Sequence, residues 1–438
     1  MKNLNPFQAI LLVVFGFAAI IAVLVFGGFL PGFRSISGGN GGTVTVWGTL
    51  PADQMLSFWS DFNKQNEKSF QVDYVAKSPD IFEADLVEAM AEDRGPDLVF
   101  LPQELLIKQS KKLLTIPYSL ISARDFQDTY FDGAEILMRS QGVVALPIWV
   151  DPLVMYYNKD LFSVANLATP PANWSAFLLA GQALTKKDVV GNILQSGVAL
   201  GEPTNIKNTK EILATLFFQS GEKIITRDAN DNLSVVFGTS DNSSAPASAA
   251  LQFFTQFTDP NSAVYSWNRS LPEAEEAFYA GRLGMYFGFG SEMKDLVAKN
   301  PHLYFDLATV PQREKAGLRA TYGRLVVLAV VSGSQKSNTA VQVAQTLAGA
   351  VNAKKIADLA GASPTRRDLL AVGDKDPKKT IIYRSAFISR SWNDPEPRRT
   401  KTIFNDAVDS LNIGRVGAST AVDSVSAELQ AIFRTNAN

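Results

Sequence analysis

The sequence predicts an α/β protein of two lobes with a cleft between them, preceded by one N-terminal transmembrane helix. Three observations predict this. Strand-like and helix-like periodicities alternate along the chain from Thr43 onward. The 438 residues, 46% hydrophobic and 19% charged, supply apolar material for two cores. No charged residue occurs from Phe7 to Leu30, a stretch longer than the ~20 residues that cross a bilayer.

Along the chain, Lys2 precedes the apolar stretch and favours a cytoplasmic residue 1–6 segment. A cleaved signal peptide has an apolar core of only ~7–15 residues and then small residues. Residues 7–30 are therefore expected to stay as an anchor, and no face of the segment is polar enough for a buried soluble helix. Residues 31–42, PGFRSISGGNGG, read as a flexible linker. The folded part opens with the β-branched run Thr43-Val44-Thr45-Val46-Trp47. Met55, Phe58, Trp59 and Phe62 follow at the spacing of an amphipathic helix. Phe70 to Val75 alternates as a second strand. Ser78-Pro79-Asp80 reads as the start of a helix bearing Phe82, Leu86, Ala89 and Met90. Gly95-Pro96 breaks it before the strand Asp97-Leu98-Val99-Phe100. Strand-helix-strand-helix-strand implies a mainly parallel sheet, whose ligands sit beyond the carboxyl ends of the strands. That places Trp47-Gly48-Thr49 and Leu101-Pro102-Gln103-Glu104 at the mouth of a cleft.

Further on, a strand is expected to end at Pro147, with a short extended crossing and a new strand from Leu153 to Tyr157. As a hinge between lobes, that crossing puts Trp149 and Asp151 on the cleft wall. Asn173 caps a helix bearing Trp174, Phe177 and Leu178. Asn208 and Glu211 have the spacing of a capping box, and Gly221 ends that helix. Arg398 to Phe433 reads as helix with a break near Gly414 and Gly417.

Composition removes several function classes. Forty-one basic and 43 acidic residues are interspersed, with no basic block for nucleic acid. There is no cysteine, hence no disulfide, thiolate site or lipid-modified cysteine, and the single histidine, His302, lies beside a proline. No metal site or cofactor is expected. Asp228-Ala229-Asn230-Asp231-Asn232 resembles the start of a calcium loop, but Leu233 and Thr239 replace its glycine and closing glutamate, which leaves a polar turn. Gly281, Gly284, Gly288 and Gly290 lack the Lys-Ser/Thr of a phosphate loop and fit a strand better.

The block Val143 to Leu184 (VVALPIWVDPLVMYYNKDLF, then TPPANWSAFLLAGQALT) resembles the family 1 extracellular solute-binding proteins, the maltose-binding-protein-like receptors of ATP-driven importers. Supporting pieces in matching order are VTVWG, Gly95-Pro96-Asp97, Ala277 to Gly290 (AFYAGRLGMYFGFG), LAGASPTRRDLL from Leu359, and Ser391-Trp392. The resemblance covers about Thr43 to Phe433. It implies a type II periplasmic-binding-protein-like fold with hinge crossings near Pro147, near Val310-Pro311 and near Pro364. Lobe one is then 43–148 plus 310–363, and lobe two is 149–309 plus 364–438. It also implies a polar solute as ligand, with carbohydrate as the leading class, and ABC permease subunits as partners. The receptor would sit in the cell membrane as a single-pass protein with its binding domain on the extracytoplasmic face.

The ligand-binding positions the resemblance implies are Trp47, Thr49, Glu104, Trp149, Asp151, Asn205, Phe289 and Trp392. Aromatic planes suit the C–H faces of a pyranose, and carboxylates or amides suit its hydroxyls. Ser291 departs from the maltose receptor, which has a large aromatic there. Packing roles remain open for Trp47, Trp149 and Trp392, as does a turn-capping role for Asp151 before Pro152. Trp59 and Trp174 fall on apolar stripes and belong to the core, while Trp267 could be a loop contact. Two rival functions stay open. One is a sensory ectodomain working with a membrane partner; the other is an extracellular glycosidase using Asp151 and Glu104, for which no nucleophile motif exists.

Overall fold

The computed structural model describes residues 42–239, 244–314 and 318–436. The expected anchor at 7–30 and nearly all of the linker lie outside the described residues. Among the described residues, no helix is long and apolar enough to cross a membrane.

The amino-terminal half of lobe one follows the predicted alternation. Strand β1 (Thr43–Gly48) leads to helix α1 (Ala52–Gln65), β2 (Gln71–Ala76), α2 (Phe82–Ala91) and β3 (Leu98–Pro102). β1 pairs in parallel with both β2 and β3. Helix α1 buries the expected stripe Met55, Phe58, Trp59 and Phe62, with Trp59 stacked on Tyr74 at 5.3 Å. Helix α2 starts later than expected. Its first residue is Phe82, and Ser78 to Asp80 form a turn before it without a side-chain cap.

The chain then runs through β4 (Leu146–Asn158), α3 (Trp174–Leu184), β5 (Ile193–Val198) and α4 (Thr209–Ser220). Asn173 caps α3 as predicted, accepting from Ala176 N at 2.8 Å. Gly221 ends α4 with φ +84°, a conformation that costs glycine nothing. Strands β6 (Leu283–Phe289), β7 (Phe305–Thr309) and β8 (Thr321–Val330) follow. Next come α5 (Ser337–Leu347), α6 (Ala350–Ala360), α7 (Pro377–Phe387), α8 (Pro397–Asn412) and α9 (Ala418–Asn436). One sheet runs through both lobes in the order β2-β1-β3-β8-β4-β6-β5, with β7 also on β4.

Two hydrophobic cores divide this sheet. Val150 of β4 packs in the first core, and Leu153 to Tyr156 pack in the second. On β8, Tyr322 belongs to the second core and Leu325 to the first. The two changes face each other, because Pro152 pairs with Gly323 and Asp151 with Arg324. The hinge therefore consists of two antiparallel strands crossing side by side. A third segment joins them, as Ser389 and Arg390 pair with Thr321 and Tyr322.

Three sequence expectations shift here. Pro147 does not end a strand: β4 continues through it, and the register slips between Val326 and Val327, opposite Trp149 and Pro147. Such a bulge accommodates a residue without an N–H. The return crossing is not near Val310-Pro311, because Val310 and Ala320 pack in the second core; it lies at Gly323-Arg324. Nor does the chain leave lobe one at Pro364. Ser363 and Pro364 pair with Val150 and Trp149, and Leu370 is still in the first core. The change comes in α7, where Ile382 packs in the second core and Tyr383 and Ala386 in the first.

The lobes also touch at a lip away from the hinge. The hairpin of Ile225–Arg227 and Leu233–Val235 stands on lobe two, with Ile225 and Val235 against its core. The turn is closed by Asp228, whose Oδ1 accepts from Asn230 N and Asn232 N at 2.8 Å. Asp231, at φ +67°, points its carboxylate at lobe one. There Ser140 donates from its backbone N at 3.0 Å and from its hydroxyl at 2.6 Å.

Two predictions test this architecture. A Cβ on Gly323 would lie 2.7 Å from both Ser389 Cβ and Val150 Cγ2. Gly323→Ala should lower the unfolding free energy by about 1–3 kcal/mol in urea titrations, as overpacking does. Asp231→Ala removes the lip contact, so small-angle scattering should report a larger radius of gyration with an unchanged far-ultraviolet circular dichroism spectrum.

Candidate ligand cleft

The ends of the first strands deliver the cleft, as the parallel sheet requires. Thr49 follows β1, and Glu104 sits in the short turn after β3. Both line a cavity of about 970 Å³. Asp80, Glu83, Glu88 and Lys108 complete its lobe-one wall, while Glu396, Pro397 and Arg398 close it from lobe two. It is thus an interlobe cavity.

Behind Glu104, outside the cavity lining itself, lies a charged layer. The Tyr322 hydroxyl donates to Glu104 Oε1 at 3.1 Å, and Lys210 Nζ lies 4.0 Å from the same oxygen. Lys210 donates to Asp394 Oδ2 at 2.8 Å, with side-chain exposures of 3% and 0%. Asp394 is held further by the Thr400 hydroxyl and by Glu396 N. Burial pulls the Lys210 ammonium down, but Asp394, Glu104 and Glu211 outweigh it and hold its pKa above the ordinary value.

Glu211 is the next residue on α4. Its Oε1 lies 3.8 Å from Arg324 Nη2. Arg324 sits over Phe289, its guanidinium carbon 3.5 Å from the ring centroid, and remains 47% exposed. Glu211 does not form the expected capping box. Asn208 makes no cap bond; its amide donates to Phe287 O at 3.3 Å, and Glu211 turns to the arginine instead. Both amide atoms of buried Gln103 and Glu211 Oε2 lack a hydrogen-bond partner within the described protein.

The eight positions singled out from the sequence separate into groups. Thr49 and Glu104 line the cavity. Phe289 reaches the cleft only as the buried platform under Arg324. Asp151 lies in the hinge and accepts from Ser291 N at 3.0 Å and the Ser291 hydroxyl at 2.6 Å. Trp47 is buried with Lys77 Nζ 3.9 Å above its ring, and Trp149 is buried against Phe100 at 5.6 Å. Trp392 is buried near Phe404 at 6.4 Å. Asn205 fastens a loop, accepting from Trp267 Nε1 at 2.8 Å and donating to Asn268 O and Leu271 O. Trp267 is accordingly a core residue rather than an exposed loop contact.

Sequence reasoning put Gln103 at the cleft mouth but missed Lys210, Tyr322, Arg324 and Asp394, and read Glu211 only as a helix cap. One signal was available: Arg324 is a lone charge in the run TYGRLVVLAVV, where a strand interior disfavours it. Lys210 and Glu211 open a helix whose other residues are almost all buried.

A two-lobed sheet with paired hinge strands and a cavity between the lobes, lined by charged and apolar residues alike, defines the class of solute-binding receptors. Residues 58–382 match the family described as bacterial extracellular solute-binding protein, and the chain belongs to that family. Among solved structures, it is similar to a cyclo/maltodextrin-binding protein complexed with maltotetraose: TM-score 0.72, 16% identity, 91% of this chain and 98% of the other. It is also similar to the sugar-binding protein MalE from Xanthomonas citri, with TM-score 0.74, 18% identity, and coverage of 90% and 98%. These likenesses show the shared fold. Proteins named as binding proteins in Brucella abortus (strain 2308) and Brucella suis (biovar 1, strain 1330) are 27% identical over 186 residues, 41% of this chain. The match spans 40% of the length of those curated relatives.

Asp151 makes the hinge sensitive to pH. Burial pushes its carboxyl up to about 6, against the opposing pull of the Ser291 hydrogen bonds and Arg324. The folded state then binds this proton more tightly than the unfolded chain. Stability from this group is full at low pH and is lost as pH rises from about 4 to 6. Asp151→Asn removes the ionisation. In urea titrations across that window, the unfolding free energy of the wild type should fall relative to the variant by about 1–3 kcal/mol.

Proposed function

We propose that this protein is a membrane-tethered extracytoplasmic receptor that captures a polar solute, with carbohydrate as the leading class, and delivers it to an ABC-type importer. The observation that supports this most directly is the cavity between the lobes, at the carboxyl ends of β1 and β3 and walled by residues of both lobes. A solute held there contacts both lobes at once, so its binding energy favours the closed arrangement. The closed form is what a permease would recognise. The anchor is the uncharged stretch Phe7 to Leu30, which leaves the receptor at the membrane surface close to its importer.

Thr49 and Glu104 are the sequence-derived positions best placed for contact, and the Glu104 carboxylate suits sugar hydroxyls. Solved relatives of similar fold include proteins bound to maltotetraose and to mannotriose, which supports a saccharide ligand. Trp47, Trp149, Phe289 and Trp392 would act by shaping the walls, and Asp151 and Asn205 by fixing the hinge and a lobe-two loop.

The test is a calorimetric titration of the purified protein with a panel of neutral oligosaccharides, together with native mass spectrometry of any co-purified solute. At least one saccharide should bind, and Glu104→Ala should weaken it about tenfold or more, as loss of a charge-assisted hydrogen bond does. No binding across the panel and no co-purified saccharide would overturn the carbohydrate assignment.

A further inference from the structure

Resting on the receptor reading, the charge layout of the cleft narrows the solute further. The cavity wall carries five carboxylates, Asp80, Glu83, Glu88, Glu104 and Glu396, against two cations, Lys108 and Arg398. Lys108 is already paired with Glu83 at 3.0 Å. The layer behind Glu104 adds Glu211 and Asp394 against Lys210 and Arg324. Seven carboxylates thus meet four cations, in a chain whose overall net charge is only −2. The excess is local to the cleft.

A second observation is an unpaired acceptor in the layer behind Glu104. Glu211 is only 6% exposed, yet its Oε2 has no hydrogen-bond partner, and its other oxygen is 3.8 Å from the Arg324 guanidinium. A buried carboxylate oxygen left unpaired is costly, and an incoming O–H or N–H would satisfy it. Arg324, 47% exposed, offers donors beside it. Its positive charge is answered by Glu211 and also acts on Asp151 and Glu292, so it does not turn the site positive.

We infer that the cleft selects a neutral or cationic, donor-rich solute and rejects anionic ones, with Glu211, in the layer behind Glu104, as the specificity-determining acceptor. A sugar acid meets Glu104 and Glu211 as like charges. A neutral or aminated sugar donates to both.

The experiment uses three β-1,4-linked trisaccharides differing in charge: cellotriose, the glucosamine trimer at slightly acidic pH, and cellotriuronic acid. Spermidine and citrate serve as charged probes without a sugar. Calorimetry on the wild type should show the acid at least about threefold weaker than the better of the other two trisaccharides. Glu211→Gln keeps the side-chain shape and should reduce the amine-to-acid affinity ratio at least about threefold. Glu88→Lys at the exposed cavity wall should move the ratio the same way without touching the layer behind Glu104.

An acid that binds within about threefold of the best trisaccharide, or a ratio unchanged in both variants, overturns the inference while leaving the carbohydrate reading intact. If no trisaccharide binds, spermidine binding without citrate binding supports the charge preference and overturns only the carbohydrate reading. Citrate binding overturns the charge preference, and no binding by any of the five probes overturns both.

Discussion

The antiparallel pairing of β4 with β8 is the constraint on which the rest of the molecule depends. Each strand enters one core and leaves in the other, and the changes face each other at Pro152–Gly323 and Asp151–Arg324. Backbone hydrogen bonds across that pair must survive any lobe movement, since an unpaired buried N–H or carbonyl is costly. The crossing point itself holds residues that are the smallest or the most constrained. Gly323 is one, because nothing larger fits between Ser389 and Val150. Pro152 is another, because it withholds a donor from the ladder.

The same pairing sets the chemistry of the cleft. It brings Tyr322 and Arg324 to neighbouring positions on one face of β8, where the hydroxyl meets Glu104 of lobe one and the guanidinium meets Glu211 of lobe two. Lys210 and Asp394 form a buried ion pair beneath them. Such a pair adds little net stability over an apolar equivalent, but removing one partner strands the other charge at a cost of about 3–5 kcal/mol. Its value here is positional. Lys210 ties α4 to the segment before α8, and so fixes the lobe-two wall that faces Glu104.

The fold was largely readable from periodicity. The stripe Met55, Phe58, Trp59 and Phe62, the Asn173 cap and the Gly221 stop are local signals, and each acts locally in the structure. The hinge boundaries are less legible, because a proline does not by itself mark the end of a strand. Pro147 and Pro364 instead lie in paired strands, where a bulge or a short ladder absorbs the missing donor. The site was the least readable part. Tryptophan is as suited to a core as to a sugar face, and burial depends on neighbours far away in sequence, such as Lys77 over Trp47 and Phe100 beside Trp149. Lys210, Glu211, Arg324 and Asp394 come from three separate segments, so no spacing rule joins them.

The burial of those aromatics bears on how a solute would be held. Stacking contributes through an exposed ring face, and the rings of Trp47, Trp149, Phe289 and Trp392 are all covered. In the proposed receptor, recognition would fall to hydrogen bonds accepted by Glu104 and Glu211 and donated by Arg324, which strengthen as water is excluded. A polar site of this kind is weak when open and strong when closed, because the same groups are solvated in one state and desolvated in the other. In the proposed receptor, binding and closure would then be a single event. The ion pair behind Glu104 has no such dependence, since Lys210 and Asp394 both belong to lobe two and stay paired in either state. A fixed lower layer and a solvent-sensitive upper layer would let the proposed receptor keep its wall in place while its grip on the solute changes with the lobes.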